Sequence, residues 1–134
     1  MKYMLLMQFS AAQHDEVPPI DSWSPDELKA HIAFMGETNA TLEKNGEFVD
    51  AQGLAMPDTA RIVRAGGQGA PVITEGPFPE TKEFLAGYWI VDCASEERAV
   101  ELAAQVSAAP GPGGRPLNMP IEVRQVMSAP PQEL

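Results

Sequence analysis

The chain has 134 residues, 44% hydrophobic and 21% charged, which suits one packed domain and excludes a compositionally disordered chain. Nine Lys and Arg stand against 19 Asp and Glu, a formal charge of −10 that repels phosphate backbones and anionic lipid, so neither nucleic acid nor a membrane surface is an expected partner. Cys93 is the one cysteine, which excludes an intrachain disulfide and a cysteine-rich metal site, and no apolar run approaches the ~20 residues of a membrane span.

Lys2 to Phe9 is rich in Met, Leu, Tyr and Phe and reads as a first strand buried on both faces, not as a signal peptide. With seven Met and no export signal, a reducing cytoplasm is the expected location. A loop from Ser10 to Trp23, carrying His14 and Pro18-Pro19, leads to the strongest local signal. In Ser24-Pro25-Asp26-Glu27 an N-cap serine, a proline at the first helical position and a glutamate at the third form a capping box, with Trp23 and Leu28 at staple positions. The apolar stripe of this helix runs Leu28, Ile32, Met35, Leu42, interrupted by Asn39, and Lys44-Asn45-Gly46 ends it.

Glu47 to Leu54 reads as a strand with Phe48, Asp50 and Gln52 on one side and Val49, Ala51 and Gly53 on the other. Ala60 to Ala65 and Pro71 to Thr74 form a hairpin around Gly66-Gly67-Gln68-Gly69. Phe84 to Asp92 is the most strand-like run. Ser95-Glu96-Glu97 opens a second helix that buries Ala99, Leu102, Ala103 and Val106. Ala108 to Pro116 is irregular, Ile121 to Met127 is a last alternating strand, and residues 129–134 form a loose tail after a single domain of residues 1–128.

The order β-α-β, inserted hairpin, β-α-β predicts an α+β, ferredoxin-like split βαβ sandwich with both helices on one sheet face. The strands place large apolar groups on both sides: Tyr3, Leu5, Met7 and Phe9 oppose Met4 and Leu6, while Phe84, Tyr88 and Ile90 oppose Leu85, Trp89 and Val91. At about 1.5–3 kcal/mol per buried side chain, the uncovered face calls for a second copy of the chain as its lid, a homodimer joined sheet to sheet.

Thr74-Glu75-Gly76-Pro77-Phe78-Pro79-Glu80-Thr81-Lys82-Glu83 is the most distinctive segment, a stiff turn in which one glycine and two prolines fix the directions of several charged groups. Together with Lys2-Tyr3-Met4-Leu5-Leu6, Leu85-Ala86-Gly87-Tyr88-Trp89 and Glu122-Val123-Arg124, this segment resembles the YCII-related family, in particular its DGPF branch, with Glu75 where the branch usually has Asp. The resemblance implies a dimeric α+β barrel of ferredoxin-like protomers. It also implies an association with extracytoplasmic-function sigma factors, and, from the wider YciI-like group, a catalytic His–Asp pair. The family's helical His lies about three turns before the helix-ending Gly; counting back from Gly46 reaches Met35, with His31 one turn earlier.

The residues themselves offer two readings at each candidate position. His31 is either a general base or a helix-edge histidine hydrogen-bonded to a neighbour. Glu75 and Glu83 are either acid/base groups, with Lys82 binding an anionic substrate group and Tyr88 donating a hydrogen bond, or parts of a turn that fixes register and seals the dimer. Asp50 and Gln52 share a strand face that lines a pocket or meets solvent, and the same alternative holds for Arg61, Arg64 and Arg124; for Arg124 a cross-strand ion pair is the default. No nucleotide, hydrolase or metal motif is present, and no cofactor is expected. Two functions follow. One is a cofactor-independent acid/base enzyme, an isomerase or lyase acting on a small cyclic organic molecule in a dry cavity between sheet and helices. The other is a non-catalytic ligand-binding or protein-interaction module linked to sigma-factor-type regulation.

Overall fold

The apolar opening forms strand β1 (Lys2–Phe9), and in a computed structural model, whose described residues are 1–9, 20–75 and 84–127, it lies in the middle of a sheet. The elements that follow are helix α1 (Pro25–Lys44), β2 (Phe48–Gly53), β3 (Arg61–Arg64), β4 (Val72–Glu75), β5 (Phe84–Asp92), α2 (Glu96–Ser107) and β6 (Ile121–Gln125). Four strands form an antiparallel sheet in the order β2-β5-β1-β6, while β3 and β4 pair apart as a two-stranded hairpin. This mixed α+β arrangement, with two helices on an antiparallel sheet, is compatible with a ferredoxin-like fold.

Both helix starts follow their capping sequences. The Ser24 hydroxyl accepts from the Glu27 amide while the Glu27 carboxylate accepts from the Ser24 amide, the reciprocal pair of a capping box. Ser95 caps α2 by accepting from the Arg98 amide. Ala99, Leu102, Ala103 and Val106 are all buried, as the spacing predicts, and join Tyr3, Leu5, Leu42, Trp89 and Val91 in one core. The face of the sheet bearing Tyr3, Leu5, Trp89 and Val91 is therefore the face the helices cover.

On α1 the stripe needs correction. Ile32 is 60% exposed, and the inward face runs instead through His31, Phe34, Met35, Thr38, Asn39 and Leu42. Asn39, which breaks the apolar pattern, accepts a hydrogen bond at 2.8 Å from the indole N–H of buried Trp89. An indole donor taken out of water needs such a partner, so a polar residue at this helical position stabilises the core.

Two bulges correct the strand faces. Between Phe48 and Asp50 the β2–β5 register shifts, so Phe48 pairs with Val91 and packs on the core, while Val49 is 42% exposed. Phe48 thus leaves the face of Asp50 and Gln52, because one extra residue reverses a two-residue alternation. A second shift between Met7 and Gln8 pairs Gln8 with Leu85 and Phe9 with Phe84, whose rings lie 5.7 Å apart. Phe84 therefore parts from the face of Tyr88 and Ile90.

The Ala108–Pro116 segment is irregular but not loose. Its backbone closes on itself through Gly111 N–H to Arg115 O and Leu117 N–H to Ala109 O, and Gly113 and Gly114 take positive φ of 68° and 73°. The Glu27 carboxylate accepts from the Gly113 amide at 2.6 Å, tying this loop to the first turn of α1.

Gly87 sits in the bulged part of β5, where a Cβ would approach the Gln52 carbonyl oxygen at 2.8 Å and the Gly53 Cα at 3.4 Å, both backbone atoms of the paired strand. Gly87→Ala is expected to push β2 from β5 and cost about 1–3 kcal/mol, read as a lower urea midpoint with an unchanged slope. A midpoint equal to wild type would show that the strands separate without cost.

Candidate functional site

The sheet face away from the helices carries a polar group built from three strand residues. Register places Asp50 opposite Ile90 and Gln52 opposite Tyr88, so Asp50, Gln52 and Tyr88 share this face. The Tyr88 hydroxyl donates to Asp50 Oδ2 at 3.1 Å and the Gln52 amide donates to Asp50 Oδ1 at 3.3 Å. The hydrogen bond to Asp50, with burial and the carboxylate charge added, raises the Tyr88 pKa above its ordinary 10.0 and keeps the hydroxyl a donor. Beside this pair lie Met4 and Ile90, half-buried, and Leu6, 9% exposed. The result is a carboxylate and a phenol held together at the edge of an apolar strip.

Arg124 lies on the same face at the opposite edge. Asp50, Ile90, Met4 and Arg124 follow one another across the four strands, so three strand spacings, about 14 Å at ~4.8 Å each, separate the acid from the arginine. Arg124 is exposed, and so are Arg61 and Arg64 on the hairpin. Asp50 is half-buried and meets Tyr88. Of the sequence-predicted site residues, the structure thus brings Asp50 and Tyr88 together and leaves Arg124 across the strip from them.

His31 stands on the other side of the sheet. Its Nδ1 lies 3.0 Å from the Pro110 carbonyl oxygen, and the Trp23 ring meets it edge-on with centroids 5.3 Å apart. A carbonyl only accepts, so Nδ1 is the donor in this contact. This is the hydrogen-bonded helix-edge arrangement, and it joins α1 to the loop that Glu27 also holds. Glu83, Lys82 and His14 lie outside the described residues, as does the side chain of Glu75; the Glu75 backbone ends β4 opposite Arg61.

The pattern of residues gave no sign of the Glu47–Arg98 pair. Arg98 on α2 donates from Nε to Glu47 Oε2 at 2.9 Å and from Nη2 to Oε1 at 3.0 Å, a two-pronged contact that fastens α2 to the start of β2. The guanidinium holds the Glu47 carboxyl below its ordinary 4.5, and the carboxylate raises Arg98 in turn. The sequence separation of 51 residues hides such a pair. Close by, a cleft of about 390 Å³ opens between the two helices, lined by Leu5, Phe34, Thr38, Arg98, Leu102 and Val106 among others. No sequence-predicted site residue lines it. Among the described residues, no group of three or more His, Cys, Asp or Glu is placed to hold a metal ion, and no helix is long and apolar enough to cross a membrane.

Sheet order, helical cover and a polar pair on the far face define a small α+β sandwich. The chain belongs to the YCII-related family: the model of the YCII-related domain matches residues 1–111. It is similar to an uncharacterized protein of Rhizobium meliloti (strain 1021), 27% identical over 128 residues that make up 96% of this chain and 98% of that protein.

Two measurements check this electrostatics. Asp50→Asn is expected to lower the Tyr88 titration midpoint toward 10, followed by phenolate absorbance in a Tyr3→Phe background, because Tyr3 is also raised, mainly by burial. For the Glu47–Arg98 pair, a glutamate with a lowered folded-state pKa stabilises the fold fully above its ordinary 4.5, and that contribution fades as the pH falls through the lowered value. Glu47→Gln is therefore expected to cost about 1–3 kcal/mol at neutral pH and progressively less toward pH 3, in urea unfolding across pH. An equal loss at both pH values would assign the effect to packing.

Proposed function

We propose that this protein works as a homodimer that handles a small cyclic organic molecule by cofactor-independent acid/base chemistry, an isomerisation or elimination, on the sheet face that bears Asp50 and Tyr88. The observation that carries this reading is the 3.1 Å hydrogen bond between the Tyr88 hydroxyl and the Asp50 carboxylate beside the apolar strip of Met4, Leu6 and Ile90. Proton abstraction next to a carbonyl needs a carboxylate to take the proton and a neutral donor to meet the oxyanion that develops. A substrate oxygen that accepts from Tyr88 releases Asp50 as the base. A second protomer laid over this face excludes water from the pair and strengthens both interactions.

A second reading has its own support. His31 and Glu27 are engaged in holding a loop, as expected of a non-catalytic module that binds a ligand or a protein partner, linked through the DGPF-branch resemblance to sigma-factor-type regulation. Its expected partner is a protein, since a charge of −10 disfavours DNA.

Thermal shift against small cyclic acids, phenols and lactones separates the readings. A ligand at about 100 times its Kd adds roughly 2.7 kcal/mol to the folded state. The expected result is a saturable rise in Tm that Asp50→Asn or Tyr88→Phe abolishes, together with deuterium incorporation into the compound in heavy water. Stabilisation without exchange would favour the binding module. Stabilisation unaffected by either substitution would remove Asp50 and Tyr88 from the site.

A further inference from the structure

The cleft between the helices plays no part in the chemistry proposed for the sheet face. The backbones of α1 and α2 stand apart over the same side of the sheet, and Leu5 of β1 forms the floor between them. Phe34, Thr38 and Leu42 recur every fourth residue and so share one face of α1, as Leu102 and Val106 do on α2. Leu5, Leu42, Leu102 and Val106 are buried, which makes the bottom of the cleft apolar. Its volume of about 390 Å³ lies within the ~300–1,000 Å³ of small-molecule pockets.

Charge identifies what fits above that floor. Glu37, Thr38 and Thr41 of α1 and Gln105 of α2 supply the polar lining. Among the described residues, none of these four side chains is taken up by a hydrogen bond or ion pair. The cation in the lining, Arg98, is already committed: Glu47 accepts from its Nε and Nη2, and Glu101 lies 3.6 Å from its Nη1. Glu37 has no comparable counterion. Three and four positions away stand Ala33, Phe34, Ala40 and Thr41, and Lys44, seven positions on, does not line the cleft. A carboxylate, two hydroxyls and an amide oxygen all accept hydrogen bonds, and the one uncompensated charge among them is negative.

We infer that this cleft binds a small amphipathic amine. The apolar body lies over Leu5 between Phe34, Leu102 and Val106, and the ammonium donates to the Glu37 carboxylate and to the hydroxyls of Thr38 and Thr41. An ammonium carries three donors and no acceptor, the complement of this rim. A ligand carboxylate would meet Glu37 as a like charge and find Arg98 held by two acids. The acidic chain as a whole also draws cations toward it. This site lies on the opposite side of the sheet from Asp50 and Tyr88 and requires no second protomer.

Titration of isotope-labelled protein with 2-phenylethylamine, 2-phenylethanol and phenylacetate, followed by amide NMR shifts at low salt, tests the assignment, because the three probes share one ring and differ in the head group. The expected result is a saturable response to the amine confined to residues 34–42 and 98–108, with binding at least about fivefold tighter than that of the alcohol and phenylacetate weakest. Glu37→Gln, a change at an exposed position, is expected to remove the amine's advantage over the alcohol. Phenylacetate binding as tightly as the amine would overturn the choice of a cation, as would an amine affinity that Glu37→Gln leaves unchanged. Shifts that never saturate, or that centre on the strands bearing Asp50 and Tyr88, would overturn the site itself.

Discussion

The antiparallel register between β1 and β5 governs the rest of the structure. It sets Tyr3 beside Val91 and Leu5 beside Trp89 on one face, and Met4 beside Ile90 and Leu6 beside Tyr88 on the other. The first set needs two helices to leave water, and α1 and α2 supply Leu42, Leu102 and Val106 for it. Among the described residues, the second set meets no helix. The proposed function follows from that division, because the polar pair at Asp50 and the apolar strip next to it lie on the face the helices leave alone.

Polar contacts fix the positions that hydrophobic burial leaves free. Sliding α1 along the sheet would strip the Trp89 indole of its acceptor on Asn39. The Glu47–Arg98 contact does the same for α2 against β2, and Glu27 and His31 hold the glycine-rich loop against α1. These groups are paired across long stretches of chain, and each ties one element to another. Such use of ionisable groups is structural.

Family membership and site geometry carry different weight. The match over residues 1–111 fixes what kind of chain this is, and a similar protein of almost equal length bears no assigned activity. A fold of this kind does not by itself set a function. On the sheet face a carboxylate is shared between a phenol and an amide on a half-buried surface.

Local chemistry made much of the fold legible in the sequence. Ser24 and Glu27 satisfy helix-end amides within four residues, and the spacing of Ala99, Leu102, Ala103 and Val106 depends only on helical geometry. The hairpin around Gly66–Gly69 and the shared face of Asp50 and Gln52 were readable for the same reason. What tertiary structure alone decided was every feature that needs two distant segments. The bulge at Val49 that turns Phe48 inward depends on the partner strand. The inward rotation of α1, which exposes Ile32 and turns Asn39 to the core, depends on where Trp89 lies. His31 finds its acceptor 79 residues away. Alternation and helical period record one segment's own geometry, whereas register, rotation and long-range pairing are settled by the surface each segment meets.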